Sequence, residues 1–440
     1  MSQLRSVTSI ANIRRILQGH IPGQLIIQIH NRCNAHCPQC GMRVSSKIER
    51  SKLDPDDIKR IIDAAAARGV QALSFTGGEP LLFQKELIPL IAHAQQAGIP
   101  FIRTGTNGFL FRNSERAGFE TAITRLAETL ARTSLYNFWI SIDSAVPAVH
   151  EEMRGLPGVI AGIEKALPIF HRHGIYPSAN LGINRNVGGP YHLSPEGELG
   201  MSRRFYETFR RSFQRFYQFV LNLGFTTVNA CYPMSINSHQ PGNLQAVYTA
   251  TSEDNVVNFT TTEKVLLFRA LLDTIPEFRS KLRIFTPRSS LYALIRQYSG
   301  DETFAYPCRG GIDFFFVDSA DANTYPCGYR GNENLGKFWD PQFKPLDQEP
   351  SCTECDWECF RDPSEMAGPF LTVLRNPRSL LRKFKADKIY AKLWWQDWRY
   401  FSACKFFDGR VPPDYQKLGQ WTPPPEVTDA TSETSIELAK

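Results

Sequence analysis

Three cysteines, Cys33, Cys37 and Cys40, crowd the stretch NRCNAHCPQC (31–40) at the spacing C-x3-C-x2-C, directly after the apolar run LIIQI (25–29). Three is an awkward number of thiols, because a disulfide uses two and a closed structural metal site normally uses four ligands. Three thiolates on a cubane 4Fe-4S cluster would leave one iron without a protein ligand, as catalytic metal sites leave a position open for a reactant. A zinc site with a distant fourth ligand, or a reactive cysteine patch, is compatible with the same spacing. A second group lies late in the chain: Cys308, Cys327, and then Cys352, Cys355 and Cys359 in CTECDWEC. Two groups suggest two metal sites, since thiolates bind soft metals and iron–sulfur clusters. Cys231, in a predicted strand, and Cys404, beside aromatics, read as small buried hydrophobes.

The elements that must position these thiols alternate. Residues 24–240 read as short strands and amphipathic helices in turn, beginning with a strand at 25–30 and a helix N-capped by Asp54, with Pro55 at its first position and Gly69 at its stop. Strands follow at 71–75, 100–104, 137–143, 176–184 and 226–233, with helices between them, the last near 201–223. Such alternation predicts βαβ units and a parallel sheet, whose chemistry gathers at the C-terminal ends of the strands. The second strand ends there in Thr76-Gly77-Gly78-Glu79-Pro80. Its glycines let backbone approach a ligand closely, and Glu79 can accept hydrogen bonds from an ammonium group.

The chain has 440 residues, 42% hydrophobic and 21% charged, which describes an ordinary globular protein with room for more than one domain. A net charge of +6 is too mild to argue for nucleic acid. No apolar run approaches the roughly 20 residues of a membrane helix, and the N-terminus has no continuous apolar segment of a secretory signal. A cytoplasmic protein is expected, in which cysteines serve metals rather than disulfides.

A C-x3-C-x2-C loop followed by GGEP at the next strand end resembles the radical S-adenosylmethionine (radical SAM) enzymes, over roughly residues 24–235. The resemblance implies an α/β fold, a partial (β/α)6 TIM-like barrel with a C-terminal α+β iron–sulfur extension. It implies that Cys33, Cys37 and Cys40 hold a 4Fe-4S cluster whose open iron SAM chelates, and that Gly77, Gly78 and Glu79 receive the methionine amino group. Thr106-Asn107-Gly108 resembles the family's TNG turn after the third strand. Ser141 and Asp143, in WISID, stand where the ribose hydroxyls are held. HEEMRG (150–155) resembles an H-x-x-x-R-G pattern, with Arg154 facing the SAM carboxylate. The position before the third cysteine is usually aromatic; here it is Gln39, whose amide could hydrogen-bond the adenine instead.

The late run with Cys308, YPC at Cys327, GNENLG and CTECDWEC resembles the SPASM/twitch extension, which binds auxiliary iron–sulfur clusters. The full pattern has more cysteines and a C-x2-C-x5-C run, whereas this chain has five and C-x2-C-x3-C. One auxiliary 4Fe-4S cluster on four of the five is therefore expected, with Cys308, Cys327, Cys352 and Cys355 the favoured set; a zinc knuckle is the alternative. The expected divisions are an N-terminal extension (1–22), the barrel (23–240), a connecting segment (241–300), the auxiliary module (301–365), a basic aromatic segment (366–418) and a disordered tail (419–440).

The family implies reductive cleavage of SAM to methionine and a 5′-deoxyadenosyl radical, which abstracts hydrogen from an unactivated C–H bond, in peptide or protein maturation or oxidation. Cofactor, lipid or natural-product biosynthesis is the alternative within the class, and a non-catalytic iron–sulfur or zinc protein the alternative outside it. No catalytic residue is legible beyond the cluster and SAM site. An electron donor such as flavodoxin or ferredoxin is expected. In residues 376–410 basic side chains outnumber acids and interleave with Trp394, Trp395, Trp398, Tyr400, Phe401, Phe406 and Phe407. At helical spacing that segment reads either as a helix packing its aromatic stripe on the barrel or as an interfacial surface for anionic lipid or an amphiphilic substrate.

Overall fold

Every residue of strand β1 (Gly23–Gln28) is buried, as its unbroken apolar run predicts for a parallel strand covered on both faces. It belongs to a computed structural model that describes residues 10–44, 49–191, 198–233, 235, 244–301, 306–346 and 349–423. Helix α1 (Ile10–Leu17) precedes β1. After it come α2 (Gly41–Val44), α3 (Pro55–Ala67), β2 (Val70–Thr76), α4 (Gln84–Gln96), β3 (Phe101–Thr106), α5 (Phe119–Ala131), β4 (Leu135–Ser141), α6 (Pro147–Arg154), α7 (Val159–Arg172), β5 (Ser178–Gly182), α8 (Glu198–Leu223) and β6 (Thr227–Cys231). Asp54 caps α3 by accepting from the Asp56 N–H at 2.8 Å, with Pro55 at the first helical position.

The residues after β6 extend the same sheet. They form α9 (Thr261–Phe278), β7 (Arg283–Ile284), α10 (Arg288–Tyr298), β8 (Phe314–Val317), β9 (Thr324–Tyr325), α11 (Glu358–Arg375), α12 (Pro377–Ala386), α13 (Lys388–Ala403) and α14 (Tyr415–Leu418). The strand order is β7-β6-β5-β4-β3-β2-β1-β8-β9, parallel throughout except for the antiparallel β8–β9 pair. This is an α/β fold built on a mostly parallel nine-stranded sheet, ending in a helical C-terminal region. The extension is joined to the barrel strand by strand, because β8 pairs with β1 in register Gln24↔Phe314 through Ile27↔Val317. Asp313 strengthens that seam, bonding the His20 ring at 2.9 Å, the Ile21 N–H at 3.3 Å and Arg309.

The sheet has two unlike faces. Leu25, Ile27, Leu73, Phe75, Ile102, Phe138 and Ile140 pack with the helices in one large core. On the other face Ile26 joins a second cluster with Phe314, Phe316, Tyr329, Trp357 and Phe360. That second face also carries polar groups: Ser178 Oγ donates to Asn137 Oδ1 at 2.9 Å, and Asn229 Nδ2 to Asn180 Oδ1 at 2.9 Å. The first turn of α11 closes over it.

The basic aromatic segment divides its aromatic residues between packing and surface. Tyr400 is fully buried and accepts from the Ile284 N–H at 2.9 Å, and Trp394 donates its indole N–H to Met366 O at 3.0 Å. Asp397 pairs with Arg279 at 2.5 Å and accepts from the Ser289 N–H at 2.7 Å, all out of solvent. Trp395, Leu381 and Ile389 instead face outward. Residues 424–440, the greater part of the expected tail, lie outside the described residues.

Removing one partner of a buried ion pair strands the other charge without solvent. Arg279→Ala should therefore lower unfolding stability by about 3–5 kcal/mol, read from denaturant titration. Arg203→Ala, which breaks the exposed pair with Glu207, should shift the midpoint little.

Candidate functional site

The chemistry-bearing residues meet at the C-terminal edge of the sheet, where β1 to β4 end. The cysteine loop leaves β1 and is fastened at once to the turn after β2: the Gly78 N–H donates to His30 O at 3.0 Å and the Glu79 N–H to Arg32 O at 2.9 Å. Both glycines are required by this contact. A Cβ on Gly77 would stand 2.6 Å from His30 O, and one on Gly78 2.0 Å from Arg32 O and 2.9 Å from Cys33 N. Their absent side chains thus admit the backbone of the cysteine loop.

Glu79 is fully buried. One carboxylate oxygen accepts from the Leu81 N–H at 3.0 Å, the other from the Asn107 N–H at 2.5 Å. Burial nevertheless pushes its pKa up to about 7, the Asn107 and Leu81 N–H donors and the Arg154 charge offsetting only part of the lost hydration. Asn107 bridges onward, donating to Asn34 Oδ1 at 2.9 Å and lying 3.7 Å from Cys33 Sγ. The Thr106 hydroxyl accepts from the Gly108 N–H at 3.1 Å, which holds the TNG turn.

The far side of the loop is tied to α6. The His36 N–H donates to Arg154 O at 2.9 Å, and Gly155, in the left-handed conformation (φ 64°), lets the His36 ring lie against the helix end. Asp143, just past β4, pairs with Arg154 Nε at 2.7 Å and accepts from Gln39 Nε2 at 2.7 Å. Its own N–H donates to His150 Nδ1 at 3.0 Å; burial, then the Arg154 charge, depresses the His150 pKa to about 3, so the ring is a neutral acceptor. Asn184 donates to Asp143 O at 2.9 Å. Ser141 is the last residue of β4. The end of the loop rests on residues 249–252, with Ser252 Oγ donating to Pro38 O at 2.8 Å. A cleft of about 440 Å³ opens beside it, lined by His36, Pro38, Met153 and Asn186 among others.

All ten cysteines are free. Burial raises Cys33, takes Cys37 to about 12 and Cys40 to about 11, so all three are thiols until a cation compensates the thiolate charge. In the late group the Cys308 N–H donates to Cys352 O at 2.8 Å, which pairs two cysteine-bearing segments. After burial, the main influence on Cys327 is Cys308, and Cys355 feels Cys327, Cys308 and Cys352. Cys359 is turned elsewhere. Its Sγ donates to Glu358 Oε1 at 3.4 Å, and its neighbours include Arg103 and Asp362.

The backbone beside two of these thiols suits them to iron–sulfur clusters. The Ala35 N–H points at Cys33 Sγ and the Tyr329 N–H at Cys327 Sγ, both at 3.4 Å and both from two residues on; such donors stabilise thiolate charge and tune clusters. Among the described residues, no three His, Cys, Asp or Glu side chains converge as one metal ion requires. Gln39 Oε1 is also buried without a hydrogen-bond partner, an unused acceptor beside Asp143. Sequence reasoning missed Asn34, Asn184 and Ser252, which carry no motif and act only through the fold.

Residues 27–192 match the family described as the Radical SAM superfamily. The AdoMet-dependent heme synthase of Methanosarcina barkeri is 22% identical over 297 residues, covering 68% of this chain and 74% of its own length. The PqqA peptide cyclase of Gluconobacter oxydans is 26% identical over 184 residues, covering 41% of this chain and 48% of its own length. Among solved structures, Streptococcus suis SuiB bound to precursor peptide SuiA aligns with a TM-score of 0.45 at 14% identity, over 74% of this chain and 63% of that one.

Gly78→Ala forces a methyl group into the Arg32 carbonyl, so the cysteine loop must lift off the turn. Anaerobically reconstituted Gly78→Ala protein should lose a large part of its iron. Gly419→Ala, where a Cβ meets nothing within 4 Å, should keep the wild-type content.

Proposed function

We propose that this chain, whose residues 27–192 match the Radical SAM superfamily, is a radical SAM enzyme that cleaves SAM reductively and removes a hydrogen atom from an unactivated C–H bond of its substrate, with one auxiliary 4Fe-4S cluster assisting. When bound, the cluster on Cys33, Cys37 and Cys40 supplies the electron that splits SAM into methionine and a 5′-deoxyadenosyl radical. The observation that carries the proposal is the fastening of the cysteine loop to the GGE turn on one side and to the end of α6 on the other. That arrangement sets an acceptor, Glu79, and a donor, Arg154, on opposite flanks of the three thiols. Glu79 receives the amino group of the methionine moiety, whose positive charge would favour the ionised carboxylate in its buried setting. Arg154 turns part of its guanidinium to the carboxylate while Asp143 holds it in place. Asp143 and Ser141 orient the ribose, and the free Oε1 of Gln39 accepts from the adenine amino group.

The auxiliary cluster is assigned to Cys308, Cys327, Cys352 and Cys355, because these four thiols influence one another while Cys359 faces Glu358. A peptide is the proposed substrate class, in keeping with one of the relatives, the PqqA peptide cyclase of Gluconobacter oxydans. A reductant of the flavodoxin or ferredoxin type delivers the electron.

Reconstituted, dithionite-reduced protein should hold about eight irons, two cubanes, and form 5′-deoxyadenosine from SAM. Changing Cys33, Cys37 and Cys40 to Ala together should remove about half the iron and abolish that product; continued cleavage by the triple variant rejects the assignment. Cys355→Ala should lose auxiliary iron yet still cleave SAM. Cys359→Ala should retain all of it, and a loss of iron there moves Cys359 into the ligand set.

A further inference from the structure

We propose that the outer faces of α11, α12 and α13 form a surface that binds anionic lipid bilayers. The three helices pack on one another through Phe370, Phe384, Trp394 and Trp398, with ring centroids 4.9–5.7 Å apart for the Phe370 and Phe384 pairs. What they leave outside is apolar at its centre. Leu381, Ile389 and Trp395 are 59%, 59% and 60% exposed, and Phe370, Val373 and Leu374 lie open at the end of α11. Arg378, Arg382, Lys385, Lys388, Lys392 and Arg399 stand among them, all exposed. On α12 the exposed positions 378, 381, 382 and 385, and on α13 388, 392, 395 and 399, recur at helical spacing, so each helix turns one mixed basic and apolar stripe outward.

No acid balances this charge from the same helices. Between residues 370 and 400 the acids are Asp387 and Asp397, and both are buried. Asp387 accepts from the Tyr390 N–H at 2.8 Å and pairs with Arg296 at 2.8 Å; Asp397 is held by Arg279 and Ser289. Arg375, at the edge, is already paired with Glu349.

Large exposed apolar side chains ringed by cations, with Trp among them, are the composition of a helix that lies in a headgroup layer. The stems of Lys and Arg cover the apolar surface while their charges reach outward. A second copy is a poor occupant, since a two-fold contact sets like charges on like. A nucleic acid backbone would satisfy the cations but leave Leu381 and Ile389 in water. Among the described residues no helix is long and apolar enough to cross a membrane, so the contact is peripheral. This inference stands apart from the radical chemistry and does not need it.

Flotation of the full-length, anaerobically reconstituted protein with unilamellar vesicles tests it. The protein should float with phosphatidylglycerol/phosphatidylcholine vesicles at low ionic strength and remain behind with phosphatidylcholine alone. Raising the salt, which screens exposed charge, should lower partitioning on the order of tenfold. Leu381→Ala/Ile389→Ala/Trp395→Ala, and separately Arg382→Gln/Lys385→Gln/Lys388→Gln/Lys392→Gln, should each reduce partitioning at least tenfold at an unchanged melting temperature. Trp395→Ala alone serves where the triple change lowers that temperature. Lys59→Gln/Arg60→Gln, on α3, should leave binding as it was. Absence from anionic vesicles, equal flotation with neutral ones, or wild-type binding by both sets of variants overturns the proposal. So does a dimer that the apolar variant abolishes in protein that does not float, for then a second copy covers the face.

Discussion

Gly78 lies so near the carbonyl of Arg32 that nothing larger than hydrogen fits between them. The hydrogen bond from Glu79 N–H to Arg32 O depends on that approach, and the remaining geometry of the site depends on the bond. Glu79, so placed, collects the N–H groups of Leu81 and Asn107, and Asn107 in turn reaches Asn34 and Cys33. Three strand ends are thereby joined through one buried carboxylate. A loop with three thiols would otherwise have few fixed points, since cysteines without metal make only weak hydrogen bonds.

The buried polar groups are arranged so that a ligand improves them. Asp143 is shared by Arg154 and Gln39, and the neutral His150 ring holds its backbone. Glu79 has backbone donors and feels the Arg154 charge only as a minor influence, and Gln39 keeps one acceptor unused. A buried carboxylate without a counter-charge opposes folding, so its retention is most economical where something charged arrives later. Under the proposed function that group is the methionine ammonium, and the same reasoning explains why burial raises the thiols of Cys33, Cys37 and Cys40.

Much of this was legible in the chain itself, for reasons that can be named. The apolar runs of β1 to β6 identify buried parallel strands, and Asp54-Pro55 begins a helix through local capping physics alone. C-x3-C-x2-C, GGEP and TNG each occupy one strand end and H-x-x-x-R-G one helix end, and so the motifs survive as short local patterns. What could not be read is set by distance along the chain. Asn184 reaches Asp143, and Ser252 reaches Pro38, through contacts between segments that share no periodicity. The joining of β8 to β1 is equally silent in FFFV, which fits any buried strand. The seven aromatic residues named in the C-terminal segment look alike in sequence, whereas the fold buries Trp394 and Tyr400 and exposes Trp395.

Charge in α11 to α13 is sorted by direction rather than by position. Glu358 accepts from the Tyr232 N–H at 3.2 Å, Asp362 from the Tyr232 hydroxyl at 3.3 Å, and Glu365 from the Tyr306 N–H at 2.8 Å and the Tyr390 hydroxyl at 2.6 Å. With Asp387 and Asp397, these acids fasten α11 and α13 to the barrel from within, and burial raises the pKa of Glu358 to about 7 and those of Asp362 and Glu365 above their ordinary range. A carboxylate drawn inward to hold a helix is lost to the surface. The cations, Arg361 excepted, have long stems that let them reach water and lie toward the outside. A strongly basic outer face is therefore the complement of an acid-lined seam. Substitutions that weaken the seam would also change the surface, so the proposed lipid contact and the proposed auxiliary cluster, both carried by segments that end in or follow α11, would share one structural foundation.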